Sequence, residues 1–176
     1  PGVAAGGALT TSLGPLAARF EGSGRVAADL TTPIATLDHT SLNTYNAAVG
    51  VGGGGEWGHG GASYRFYTNE YGVPVEHEHE GETPEEHAAH GGGVTIDMRR
   101  HTLRGETEFH RDNGALSSIK LTATATDYKH TELEGDGAVG TIFDQFTTSA
   151  EAAARLAPKN SDITATFGVR GQYRDI

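Results

Sequence analysis

The chain has no cysteine among its 176 residues, only one tryptophan and one methionine, and six prolines. Without cysteine there is no disulfide framework and no thiolate zinc site. Long apolar runs are missing too: nothing approaches the roughly 18 to 20 consecutive apolar residues of a transmembrane helix, and the mean hydropathy is −0.42. Cationic side chains are scarce, with 13 Lys and Arg against 23 Asp and Glu and a formal charge of −10. That balance repels phosphate backbones, so no nucleic-acid partner is expected and partners should be cationic or neutral. Hydrophobic residues make up 36% of the chain while glycine numbers 26, a poor supply for a soluble core. Low apolar content with net charge is one signature of disorder. Ordered alternation is the other reading, and the windows decide for it.

Period-two patterning dominates. In 163–173 the odd positions Ile163, Ala165, Phe167, Val169 and Tyr173 are apolar or aromatic, and the even positions Thr164, Thr166, Arg170 and Gln172 are polar. Ile119, Leu121, Ala123 and Ala125 alternate with Lys120, Thr122, Thr124 and Thr126, and Leu16, Ala18, Phe20 and Val26 share one side opposite Arg19, Glu21, Ser23 and Arg25. Weaker runs at 3–13, 45–54, 62–67, 103–109 and 142–156 bring the expectation to about eight strands. A helix competes for 149–156, where Ala, Glu and Arg favour it.

Connections are expected to alternate in length. Short ones fall at Gly14-Pro15, around 55–58, at 111–115 with its Asp-Asn-Gly, and at 158–160; long ones fall at 29–42, 71–93 and 131–138. Short turns on one edge, long loops on the other and alternating segments of about ten residues are the layout of an outer-membrane β-barrel meander. The expected fold is therefore all-β, an antiparallel up-and-down transmembrane β-barrel segment of about eight strands. Such a wall is half polar, so it explains the composition without a large core. A soluble β-sandwich is the competing architecture and would show bulkier inward residues. The chain begins at Pro1 and ends at Asp175-Ile176 straight after a strand-like run, with no basic and apolar leader, so a piece of a longer protein is expected.

An ordered series of motifs over roughly 62–146 resembles the TonB-dependent outer-membrane receptors, most closely their zinc-uptake branch. It runs from Ala62-Ser63-Tyr64-Arg65-Phe66 and Asn69-Glu70-Tyr71-Gly72-Val73-Pro74 through Glu76-His77-Glu78-His79-Glu80 to Val94-Thr95-Ile96-Asp97-Met98 and Leu103-Arg104-Gly105-Glu106. Thr126-Asp127-Tyr128-Lys129-His130-Thr131-Glu132-Leu133-Glu134-Gly135 and Val139-Gly140-Thr141-Ile142-Phe143 complete it, while 1–61 and 147–176 share only the general style. The resemblance implies a 22-stranded barrel around a plug domain, driven by the TonB energy-transducing complex in a bacterial outer membrane. Residues 1–176 would then be a partial barrel domain without plug or TonB box, and this piece would not be expected to transport anything alone.

Four of the nine histidines lie within fourteen residues: His77, His79, His87 and His90, interleaved with Glu76, Glu78, Glu80, Glu82, Glu85 and Glu86. Imidazole and carboxylate donors suit Zn²⁺, and equally Ni²⁺ or Cu²⁺ where thiolate is absent. In an extended segment His77 and His79 share a side, and on a helix His87 and His90 share a face. The expected metal ligands are His77, His79, His87, His90, Glu76 and Glu78, in an extracellular loop over about 71–93 that captures a divalent transition metal, zinc first, as transported cargo. A solvated polar loop is the bland alternative. No prosthetic group is expected.

His39 beside Asp38, and His130 near Asp127, Glu132 and Glu134, could add ligands on the same rim, while His101 and His110 read as ordinary polar positions. Tyr64, Phe66, Tyr71, Phe109, Phe167 and Tyr173 read as lipid-face or girdle aromatics. Gly50 to Gly55 lacks the Gly-Lys-Ser/Thr of a phosphate loop. No enzyme is expected: there is no cysteine nucleophile, no Gly-x-Ser-x-Gly and no His-Glu-x-x-His, although Glu86-His87 comes near the last. Three other functions compete: a receptor for a siderophore or other metal chelate, a self-contained eight-stranded structural barrel, and a soluble metal-buffering β-domain.

Overall fold

A computed structural model of the chain describes residues 1–74, 93–111, 114–158 and 162–176. Alternation becomes strand pairing along nearly all of them: β1 (Gly2–Leu13), β2 (Leu16–Ala27), β3 (Leu30–Thr31), β4 (Thr36–Leu37), β5 (Leu42–Gly55), β6 (Gly58–Val73), β7 (Val94–His110), β8 (Leu116–Leu133), β9 (Val139–Leu156) and β10 (Ala165–Asp175). Among the described residues there is no helix. Eight of the strands form one antiparallel sheet in the order β1-β2-β5-β6-β7-β8-β9-β10, and β3 and β4 form a separate hairpin. The segment 149–156 belongs to β9. Its small Ala150, Ala152 and Ala154 stand opposite Gly171, Val169 and Phe167, so the ladder and this size matching override the helix propensity.

Register carries the two-faced pattern across the whole sheet. One row of directly paired residues reads Leu9, Phe20, Val49, Tyr64, Leu103, Ala125, Thr148, Tyr173 from β1 to β10. The adjacent row, on the opposite face, reads Thr10, Arg19, Gly50, Ser63, Arg104, Thr124, Ser149, Gln172. A slip of one residue at any hairpin would exchange the faces.

Among the described residues nothing covers the apolar face. Among the described residues Ala18, at 8% exposure, is the one buried apolar side chain, while Leu103 is 57% and Val169 71% exposed. With strands about 4.8 Å apart and residues about 3.3 Å apart along each, the apolar area measures roughly 34 Å by 20 Å. That projects to about 700 Å², above the roughly 300–600 Å² of the largest patch on a typical soluble monomer. The patch has chemical borders. Trp57 packs on Phe109 at 5.7 Å at the end with the two-residue turns. Toward the other end, the Tyr64 hydroxyl lies 2.7 Å from His101 Nδ1 and Phe66 stacks at 5.0 Å on the same ring. Beyond this aromatic row the same face turns charged, with Arg99 on Asp97 at 3.0 Å and Lys129 on Asp144 at 3.5 Å.

The connections fit the expected asymmetry in part. Gly14-Pro15 and Glu56-Trp57 are two-residue turns, Gly14 taking a φ of 63°. On the opposite edge, 28–41 holds the β3–β4 hairpin. The long loop expected at 131–138 is instead a tight connection over 134–138, closed by hydrogen bonds from Glu134 N to the Ala138 carbonyl and from Gly137 N to the Glu134 carbonyl. Strand β8 runs on through Thr131 to Leu133 because its backbone ladder to β9 continues past the point where apolar alternation stops. Conversely, the connection expected at 158–160 spans the interval from Leu156 to Ala165. Closure as a self-contained eight-stranded barrel would need β1 to pair with β10, and it does not: each pairs on one side only, leaving two free edges.

Candidate functional site

The expected ligands His77, His79, His87, His90, Glu76 and Glu78 lie outside the described residues. What is described is the root of that segment. His39, with a φ of 58°, lies against Gly72 and Gly93, the two glycines that frame it. A Cβ at Gly72 would collide with the His39 carbonyl, and one at Gly93 would come within 2.7 Å of the His39 side chain, so glycine at both positions permits the contact. The 28–41 connection is held in place from within: Asp29 Oδ1 accepts from Thr40 N at 2.9 Å and Ser41 N at 2.8 Å, and Gly72 N donates to the Ser41 carbonyl at 3.0 Å. His39 therefore sits beside Gly72 and Gly93, which flank the His/Glu-rich segment in the sequence.

His130 sits within β8 on the polar face. Its Nδ1 lies 2.8 Å from the Tyr128 hydroxyl, its ring packs on Phe143 at 4.6 Å, and its Nε2 is 3.6 Å from Glu132 Oε1. That Nε2 is buried and makes no hydrogen bond among the described residues. The grouping expected around His130 holds for Glu132 only. Asp127 is an odd number of residues away and projects from the opposite face beside His101, and Glu134 lies in the turn over Gly140. Tyr71 is another correction, since its pairing with Leu42 and Ile96 places it on the polar face. Tyr64, Phe66, Phe109, Phe167 and Tyr173 share the apolar face, as does His101.

The middle of the polar face is a row of ion pairs. Glu21 lies between Arg19 at 2.5 Å and Arg65 at 3.4 Å, and Glu106 lies between Arg104 at 2.8 Å and Lys120 at 3.0 Å. Four cations meet two carboxylates here, so the row keeps a net positive charge on one side of the sheet, each pair contributing little individually.

A further group of ligand-type side chains lies at the two-residue-turn end. His59 pairs directly with Glu108, and His110 projects from the same face two residues on. One ligand atom from each of the three lies within 4.8 Å of the others. His110 Nε2 stands 3.7 Å from Glu108 Oε1, and the two imidazoles meet edge to face at 5.7 Å. Reading His110 as an ordinary polar position missed this group. Glu108-x-His110 in a strand does signal two ligands on one face, but the His59 partner depends on the β6–β7 register, which the long interval between Val73 and Val94 hides from the sequence.

No protein-family model matches the chain, and no curated protein is significantly similar to it.

Proposed function

We propose that this chain is part of the wall of an outer-membrane β-barrel receptor that takes up a transition-metal ion, zinc first, with the His/Glu-rich segment between β6 and β7 capturing the metal outside the cell. The observation that carries the membrane reading is the uncovered apolar face, bordered by aromatic side chains and then by charge. Lipid would cover that face in a bilayer, where no packed protein core is needed. The free edges of β1 and β10 are where further strands of the same meander would pair, as the 22-stranded barrel of the resembling receptors requires. The polar face would then line the lumen and meet a plug through which the TonB complex acts.

Metal capture rests on the residue chemistry of 76–90, on the resemblance, and on His39 standing at the root of that segment. Zinc accumulation by cells starved of zinc, compared with cells in which His77, His79, His87 and His90 are all alanine, tests it. Lower accumulation at equal outer-membrane level of the protein is expected; unchanged uptake and unchanged Zn²⁺ affinity would sink the metal role. The arginines of the polar face, Arg19, Arg65 and Arg104, favour a second reading in which the cargo is an anionic metal chelate such as a siderophore. Growth rescue by chelated metal and not by free Zn²⁺ would select it.

A further inference from the structure

We infer that His59, Glu108 and His110 form a second metal site, for a divalent transition ion of the Zn²⁺ class, on the polar face at the two-residue-turn end of the sheet. It is separate from the His/Glu-rich segment: along β6, Val73 is fourteen residues on from His59, about 46 Å along the strand. It requires only the strand register, so it stands whether or not the membrane reading does.

Three features of the wall build it. The first is geometry. A tetrahedral ion with bonds of about 2.0–2.1 Å holds its ligand atoms roughly 3.3 Å apart. Closing from the observed 4.8 Å spread takes about 1.5 Å, which rotation of three side chains on fixed strands supplies. Gly58 permits the close approach of those strands: its φ is 129° and any Cβ there would collide with the Glu108 carbonyl. In the same register His59 stands opposite Glu108, and His110 N donates to the Trp57 carbonyl at 2.9 Å.

Charge is the second. The residue paired with Glu108 on β8 is Lys120, which would ordinarily neutralise it. Lys120 Nζ instead lies 3.0 Å from Glu106, which is also held by Arg104. Among the described residues, the only ion-pair contact of the Glu108 carboxylate is His110, itself a ligand-type group. An anionic oxygen between two imidazoles attracts a dication.

Space is the third. On the same face the neighbours of His59 are Gly54, Gly52 and Gly61. A Cβ at Gly54 would come within 3.1 Å of the His59 Cβ, so glycine there leaves the imidazole free to turn. Three protein ligands beside a surface without side chains leave a coordination position for water or a small anion, the pattern of an open site. Two nitrogens and one oxygen would also accept Cu²⁺, and more tightly.

The test uses the complete protein in detergent with His77, His79, His87 and His90 already replaced by alanine, titrated with Zn²⁺ alone. One Zn²⁺ per chain is expected. His59→Gln, Glu108→Gln or His110→Gln should each weaken it by at least about tenfold, and the His59→Gln/His110→Gln pair should abolish it. Absence of that equivalent in the parent, or its survival in the double variant, would overturn the site. A measurement without any of these three substitutions guards against misfolding: Zn²⁺ should protect His59 and His110 from diethylpyrocarbonate, read by mass spectrometry, while His101 reacts equally with and without metal. Equal modification of His59 and His110 with and without Zn²⁺ would overturn the proposal.

Discussion

Ala123→Arg would place a guanidinium in the middle of the apolar face of β8. Ala123 stands between Gly105 and Ala150 on the neighbouring strands and is exposed. Along β8 it is four residues from Ile119 on one side and four from Asp127 on the other, about 13 Å each way. In a barrel wall tilted by 35–45° that would be about 10 Å along the bilayer normal, which would put the position near mid-depth. Arginine at the midplane of a barrel wall costs about 2–4 kcal/mol, with side-chain snorkelling pulling toward the lower figure. Thr122→Arg is the matched control one residue away. Thr122 faces the other side between Glu106 and Glu151, so an added cation there should change stability by less than about 0.5 kcal/mol. Reversible unfolding of the complete protein in phospholipid vesicles by guanidinium chloride gives both numbers. A difference of 2 kcal/mol is about a 30-fold change in the folding equilibrium. Equal costs at 122 and 123, or the larger cost at 122, would refute lipid contact of the apolar face.

Two more outcomes follow from particular side chains. Trp57 is the sole tryptophan and stands with Phe109 at the turn-end border of the apolar face, so its fluorescence should shift to the blue on membrane insertion. Lipids brominated near the headgroup should quench it more than lipids brominated near the chain end, and the reverse order would remove Trp57 from the border. Gly58→Ala should destabilise by more than about 1 kcal/mol, since an alanine there combines a positive φ with a collision against the Glu108 carbonyl. Gly105→Ala, with open space around it, is the control, and equal unfolding midpoints would contradict the role given to Gly58.

The strands were legible in the sequence wherever one side of the sheet is apolar and the other polar, because there alternation is strict: Ile119 to Thr126 is the clearest case. Their ends were not. β8 and β9 each run for 18 residues, past the area of strict alternation, and the short mixed stretches 131–133 (Thr, Glu, Leu) and 139–141 (Val, Gly, Thr) carry no period that distinguishes strand from loop. Register was hidden for the same kind of reason. Gly14-Pro15 and Glu56-Trp57 fix their hairpins at once, whereas the long connection before Val94 leaves the β6–β7 pairing open, and with it the meeting of His59 and Glu108. The two faces could be read locally, yet Tyr71 was misplaced because near the strand end an aromatic no longer reports which side is apolar.

Accessibility along β8 tests the central claim most directly, and the absence of native cysteine makes the experiment clean. Single cysteines at 119 through 126, each carrying a nitroxide in the complete protein in vesicles, report collision with oxygen dissolved in lipid and with a water-soluble nickel complex. Ile119, Leu121, Ala123 and Ala125 should favour oxygen, and Lys120, Thr122, Thr124 and Thr126 should favour nickel, with a period of two. A uniform response to the aqueous reagent at all eight positions would contradict a sheet whose apolar face is covered by lipid.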